Sequence, residues 1–272
     1  YFGSIEHDKL LTLVGQRVSD RRMLKLARQW LQAGVTEDGA LRHPMAGTPQ
    51  GGVISPLLSN IYLHVLDRVW AKHGAHLGEL VRYADDFVVM CRTAQGCEES
   101  QRRIEHVLGR LGLKLHPQKT RRVVLTGGRE GFDFLGCHLH KRMSGRLWQQ
   151  VGLRRYYLQR WPSRKAMNRV RERVKGMTPR GRCQQDVRGV IAEINPVLRG
   201  WGQYFRTSNA ANHFIDVDDY VVTRLRSLRV KRAGRNLRAG QAKRWDRQYF
   251  ERLGLHRLRG TTRYLGQPPA PR

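Results

Sequence analysis

Tyr83-Ala84-Asp85-Asp86 lies between two apolar runs, Leu80-Val81-Arg82 before it and Phe87-Val88-Val89-Met90 after it. Short runs of this kind, split by a polar pair, predict strand, tight turn, strand. Neighbouring carboxylates in a turn repel each other, and a divalent cation between them removes that penalty. Oxygen-only ligands suit Mg²⁺ that carries the phosphates of a substrate. The other reading is an acidic turn of purely local origin, because aspartate is a common turn residue. The hairpin alone leaves both open.

Charge narrows the class of partner. The 272 residues hold 51 Lys and Arg against 22 Asp and Glu, a formal net charge of +29. An excess of that size repels itself unless a polyanion is the usual companion, which points to nucleic acid. Very basic structural proteins share the property, so the charge gives a partner and not a task. Its distribution says more. Residues 1–140 carry 19 basic and 14 acidic residues, whereas residues 141–272 carry 32 basic and 8 acidic, 27 of the basic ones being Arg. A near-neutral scaffold is thus followed by a polyanion-binding part, and guanidinium favours planar, bidentate contact with phosphate.

Hydrophobic residues make up 40% of the chain, enough for a packed core. Cys91, Cys97, Cys137 and Cys183 form no C-x-x-C pair, which argues against structural zinc and a disulfide framework. Free thiols suit a reducing compartment, the cytoplasm of a bacterial type of cell, with an organelle left open. No apolar run reaches membrane-spanning length, so no membrane partner is expected, and the oligomeric state is not legible. The chain opens at Tyr1 in a strand-like stretch, so we expect the natural reading frame to begin upstream.

Periodicity predicts helices over 7–16 and 19–32, and Asp38-Gly39 marks a hairpin. The loop Gly47-Thr48-Pro49-Gln50-Gly51-Gly52 leads to Ser55-Pro56, read as helix cap and first helical residue. A helix over 95–111 follows the aspartate hairpin, then strands near 113–115, 121–126 and 132–139. From Ser163 onward the pattern is helical: one helix capped by Ser163, one ended by Pro196, and one over 217–232 with Asp216, Asp218 and Asp219 near its positive N-terminus. The closing stretch 266–271 reads as a loose tail.

These residues resemble one family in order along nearly the whole chain: the group II intron-encoded reverse transcriptases, or maturases. Tyr1-Phe2 through His7-Asp8 is similar to the end of the first palm motif, and the loop 47–52 with Val53 to Leu58 to the template–primer motif. Tyr83-Ala84-Asp85-Asp86 resembles the metal hairpin, while Gly112 to Leu115 with Lys119-Thr120, and Phe134-Leu135-Gly136, resemble the last palm motifs. Asn195-Pro196-Val197-Leu198-Arg199-Gly200-Trp201, with Tyr204-Phe205, is similar to the maturase signature.

The resemblance implies an α+β fold: a right-hand polymerase palm, an antiparallel sheet packed on helices, over residues 1–142, then an all-α thumb or maturase domain over 143–272. It implies two Mg²⁺ ions, with Asp85 as direct ligand and Asp86 assisting, and a third aspartate upstream of Tyr1 together with the fingers region. A chain lacking that carboxylate is expected to polymerise poorly; Glu6 and Asp8 stand at the wrong place in the motif to replace it. Phe2 would sit against the sugar of the incoming nucleotide, although Gly3 departs from the polar residue usual beside it. Gln50 and Gly51 would approach the nascent base pair. Lys119 would meet the triphosphate or be simply solvated. Phe134, Leu135 and Gly136 would hold the primer end through their backbone, with Phe134 and Leu135 equally suited to a core.

In the second half Arg164, Arg169, Arg171, Arg173, Arg199, Arg224, Arg226 and Arg229 are the candidate RNA contacts, while Trp201, Tyr204 and Phe205 recur at helical spacing as core does. The expected function is copying of intron RNA into DNA from a DNA primer with deoxynucleoside triphosphates, joined to intron RNA binding and help with splicing. The alternatives are an RNA-binding maturase without polymerase activity and a relic. No zinc-dependent endonuclease is expected, since no cysteine pairs or His-rich pattern close the chain.

Overall fold

A computed structural model of the chain describes residues 4–32, 35–37, 40–42, 53–234, 237–238 and 240–263. They fall into two compact units, Tyr1–Arg122 and Val123–Arg272. That division comes well before the 142/143 boundary read from charge and family likeness.

The first unit opens with α1 (His7–Gly15) and α2 (Arg21–Gln32), followed by the antiparallel pair β1 (Val35–Glu37) and β2 (Ala40–Arg42). Leu10 and Leu11 of α1, and Ala27 and Leu31 of α2, spaced one turn apart, enter the core. Next comes α3 (Ser55–His73), whose buried Leu58, Tyr62, Leu66 and Trp70 recur every four residues. Its cap position belongs to Ile54 and not to Ser55, whose side chain is buried, so the helix starts one residue before the sequence reading. The hairpin of β3 (Gly78–Tyr83) and β4 (Asp86–Cys91) leads into α4 (Ala94–Arg110), capped by Thr93, whose hydroxyl accepts the Gly96 N–H at 3.0 Å. Tyr62 donates its hydroxyl to the Leu111 carbonyl at 2.5 Å, and Trp70 donates its indole N–H to Gly78 at 3.0 Å, tying α3 to the end of α4 and to β3.

Two expected strands are absent among the described residues. Leu113 drops into the core from the end of α4, its N–H bonded back to Leu108, which closes a turn rather than extending a strand. The stretch 121–126 finds no strand partner, and Val124 is exposed. A strand without a neighbour leaves its backbone groups unpaired, so neither run is assigned as one.

The second unit begins with a three-stranded antiparallel sheet in the order β5 (Gly131–Phe134), β6 (Cys137–Met143), β7 (Tyr156–Pro162), with the short α5 (Gly145–Val151) between β6 and β7. The third strand was not read from the sequence. It means that the 143–272 stretch, expected to be all helical, begins as part of a sheet. Helices α6 (Arg164–Met177), α7 (Val187–Phe205), α8 (Ala211–Ala233) and α9 (Arg247–Arg252) complete the unit. Val170, Val174, Ile191, Ile194, Leu198, Phe214, Val221 and Leu225 form its core. No helix among the described residues is long and apolar enough to cross a membrane.

Three sequence readings meet different outcomes here. Ser163 does cap α6, its hydroxyl accepting the Ala166 N–H at 3.2 Å while its own N–H donates to Gly136 at 2.8 Å. Ser163→Ala should therefore lower unfolding free energy by about 1 kcal/mol, read from the urea midpoint. Pro196 does not end its helix. It lies on the exposed side of α7 with Ala192, so the carbonyl that loses its donor faces water while Ile194 and Leu198 keep the helix seated. Nor does a helix start at 217: α8 begins at Ala211, and Asp218 is buried inside it. Burial raises the Asp218 carboxyl above its usual range, against the pull of two backbone N–H groups it accepts, from Leu258 at 3.1 Å and Arg259 at 3.0 Å.

Candidate functional site

Strands β3 and β4 pair in register from Gly78 opposite Cys91 to Tyr83 opposite Asp86, which leaves Ala84 and Asp85 as a two-residue turn. Ala84 has φ 52°, a region that a side chain rarely occupies and glycine usually supplies. Something must hold it there. Arg82 does so: its guanidinium donates to the Ala84 carbonyl at 2.7 Å, closing the turn from below. The same guanidinium donates to Asn60 Oδ1 at 3.0 Å and grips the Asp67 carboxylate with two donors, Nε reaching Oδ1 at 2.8 Å and a terminal nitrogen reaching Oδ2.

Helix α3 therefore carries a carboxylate and an amide that fix an arginine of β3, and that arginine fixes the turn. The Arg82 side chain is only 11% exposed. Its hydrogen bonds hold the Asp67 carboxyl below its usual range, more strongly than burial pushes it up. The charge of the anchor is thus neutralised within the network. Sequence reasoning missed Arg82, Asp67 and Asn60 as a set, because the pairing joins a strand to a helix 15 and 22 residues away.

Above this anchor Asp85 and Asp86 are both exposed, with no hydrogen-bond or ion-pair partner among the described residues. Two adjacent carboxylates with bare oxygens are a hard-oxygen donor set of the kind a Mg²⁺ ion takes, with waters or phosphates completing the shell. No group of three His, Cys, Asp or Glu that could hold a metal is present among the described residues.

Phe134-Leu135-Gly136 form a second strained turn. Leu135 (φ 48°) and Gly136 (φ 74°) are both left-handed between β5 and β6, as a two-residue hairpin loop requires. The Leu135 carbonyl accepts the Tyr204 hydroxyl at 2.8 Å and the Gly136 carbonyl accepts the Ser163 N–H, so these oxygens serve the fold. Tyr204 is itself exposed, while Phe205 is buried and Trp201 packs partly against the core. Lys119 is exposed in the turn after Pro117. Phe2, Gln50 and Gly51 lie outside the described residues.

The arginines divide into two groups. Arg164, Arg169 and Arg173 are exposed on α6 and Arg199 on α7, with Arg171 half-buried, and their guanidinia have no acidic partner among the described residues. Arg224 donates to the Thr178 hydroxyl at 3.0 Å and its carbonyl at 2.5 Å, Arg226 donates to the Trp245 carbonyl at 2.9 Å, and Arg229 lies 5.5 Å over the Trp245 ring. Those three read as RNA contacts from sequence; in the structure they stitch α8 to its neighbours. Asn195 was visible in the sequence only as part of a motif. Its side chain donates to the Gly254 carbonyl and accepts the His256 N–H, both at 2.8 Å.

Comparison with known proteins matches two family models, the first of which runs past Arg122 into β5 and β6 of the second unit. The model of the reverse transcriptase (RNA-dependent DNA polymerase) family matches residues 1–139, and that of the group II intron maturase-specific domain matches residues 167–250. An uncharacterized 91 kDa protein in the cob intron of Schizosaccharomyces pombe is 25% identical over 75% of the chain and 33% of its own length. Protein YkfC of Escherichia coli is 33% identical over 53% of the chain and 45% of its own length. The group II intron-encoded protein LtrA of Lactococcus lactis is 43% identical over 25% of the chain and 11% of its own length. The matched stretches therefore span less than half of each of these relatives.

Proposed function

The chain belongs to the reverse transcriptase family of RNA-dependent DNA polymerases, of the group II intron kind that carries a maturase-specific domain, and from that premise we propose that it copies intron RNA into DNA while binding the folded intron. The observation that carries the reading is the Asp85-Asp86 turn, solvent-facing and without a side-chain partner among the described residues, yet held from beneath by Arg82. Folding alone gives no reason to hold two bare acids side by side on an anchored, strained turn.

In this reading the first unit supplies part of a polymerase palm and the helical unit a thumb that also clasps RNA. Asp85 would hold Mg²⁺ directly, with Asp86 supporting it. Bound there, Mg²⁺ would activate a primer hydroxyl and neutralise triphosphate charge. The chain's own contribution is positioning: Arg82 fixes the turn that presents both carboxylates, and Lys119, exposed beyond α4, would meet a phosphate of the incoming triphosphate. Partners would be intron RNA, a DNA primer and deoxynucleoside triphosphates. The free arginines of α6, with Arg199, would meet RNA phosphates.

Two measurements on the intact protein test this. Extension of a DNA primer on an RNA template should require Mg²⁺, stop on chelation and resume when Mg²⁺ is restored. Affinity for intron RNA should fall by about 10³-fold or more between about 50 and about 200 mM salt if roughly six or more phosphates are neutralised. Extension indifferent to Mg²⁺ would overturn the metal role. Salt-independent binding would overturn the phosphate-led account, and salt-sensitive binding without extension would leave the RNA-binding role standing alone.

A further inference from the structure

A cleft of about 990 Å³ opens in the helical unit where α7 faces the segment after α9. Arg199, Gln203 and Arg206 line one wall, spaced four and three residues apart and so aligned on one helix face. His256, Thr261 and Arg263 line the other. The facing segment is built into place. Gly202 lies beneath Leu258, and a Cβ at that position would come within 2.5 Å of the leucine side chain, so the segment can seat on the helix only over glycine. Leu258 is fully buried.

Asn195 clamps the backbone at Gly254 and His256, Asp218 clamps it at Leu258 and Arg259, and the Arg263 N–H donates to the Arg206 carbonyl at 2.7 Å. Two buried polar side chains are thus used to fix one wall of a cavity. The cleft contains no carboxylate among its lining residues, and the guanidinia of Arg199, Arg206 and Arg263 have no acidic partner among the described residues. Elsewhere in the same unit Arg182 is paired with Glu193 and Arg247 with Asp219. Three unneutralised cations around one concavity repel each other unless an anion enters.

We propose that this cleft receives an unpaired segment of RNA, its phosphodiesters on Arg199, Arg206 and Arg263 and a base or ribose edge against Gln203, His256 and Thr261. The proposal rests on the reading that this unit binds RNA, and deepens it by naming the element recognised. A duplex keeps its bases stacked inside and its phosphates on a convex surface, so it can touch the rim but cannot fill a concavity; an unpaired nucleotide can. The volume lies at the upper end of the roughly 300–1,000 Å³ usual for ligand sites. Burial, with Arg199 next to it, pushes the His256 imidazole below its usual value, which leaves it neutral and able to both donate and accept toward a base.

Gly200 provides a probe that spares the arginines. It lines the cleft, and a Cβ there would meet nothing within 4 Å, so Gly200→Leu projects a side chain into open space from a helical position that leucine favours over glycine. Labelled single-stranded RNA and a hairpin duplex of equal length would be titrated against the intact chain by fluorescence anisotropy, with thermal melting as the folding check. Gly200→Leu should weaken single-strand binding at least about tenfold and duplex binding less than about twofold, taking one phosphate contact and its stacked base as about 1.4 kcal/mol or more. Arg199→Gln/Arg206→Gln/Arg263→Gln should lower the single-strand salt slope by roughly 2, at about 0.7 per phosphate. If Gly200→Leu lowers the melting temperature, the arginine variant alone decides. Unchanged single-strand binding in the deciding variant, or equal losses on duplex with Gly200→Leu, would overturn the cleft. If the unmodified chain binds neither RNA, the proposed function itself fails.

Discussion

Asp85→Asn, made in the protein that also carries the third carboxylate, should reduce DNA synthesis on an RNA template by at least about a thousandfold, equivalent to about 4 kcal/mol of lost transition-state stabilisation, and leave RNA affinity within about twofold of the unmodified protein. The amide keeps the size of the side chain and removes the charge, which is what a cation would answer to. Asp85 occupies the turn itself, whereas Asp86 already belongs to β4 opposite Tyr83, so the former is the one presented furthest from the sheet. Because Asp85 is exposed and holds no partner among the described residues, the substitution removes like-charge repulsion with Asp86 and should not lower the melting temperature. Single-turnover primer extension, RNA titration and a thermal melt on the same sample read the three quantities together. Equal loss of synthesis and of RNA binding would show that the hairpin does something other than hold a metal.

Arg82→Ala should lower the stability of the first unit by about 2–4 kcal/mol. Removing one member of a buried, hydrogen-bonded pair usually costs about 3–5 kcal/mol, lowered here because the Asp67 side chain is 31% exposed. The change also frees the Ala84 carbonyl, so the turn loses what holds its left-handed residue. We expect synthesis to fall further than the loss of folded protein explains. Arg82→Lys, which restores charge without the planar fork, should recover part of the stability and little of the synthesis. A pH series separates the pair from the turn. The Asp67 carboxyl is held below its ordinary value of 3.8, so its stabilising contribution is complete above about pH 4 and disappears as pH falls through the depressed folded value. In Arg82→Ala that acid-side loss of stability should shrink, as measured by urea unfolding at successive pH values. A variant with unchanged melting and unchanged synthesis would show that the anchor is dispensable.

Much of this arrangement was legible in the residues. The aspartate hairpin and the cap of α6 at Ser163 follow from local rules of period and turn chemistry, whereas the same rules put the cap of α3 at Ser55 and the structure puts it at Ile54. What failed was tertiary. The arginine that supports the hairpin stands in the quoted flank of the motif, yet nothing in sequence says that Asp67 and Asn60 will meet it across a strand and a helix. Pro196 looked like a stop because the rule for prolines concerns the helix interior, and whether the orphaned carbonyl faces water depends on which side packs. Charge composition treated all arginines alike, although Arg224 and Arg226 are consumed by backbone carbonyls and Arg206 and Arg263 line a cleft. The third strand could have been found: Tyr156-Tyr157-Leu158 with Trp161 is rich in strand-forming residues.

That strand sets a limit on how the protein can be divided. β7 has its hydrogen-bonding neighbour in β6, which in turn is bonded to β5. A truncation begun at residue 143 would keep the basic helices but strip β7 of its mate and remove Leu135, whose carbonyl receives the Tyr204 hydroxyl. Such a fragment would display a bare strand rim bearing Tyr156, Tyr157 and Leu158, an invitation to self-association. The basic half travels as an independent piece only if it takes the turn at Leu135-Gly136 with it.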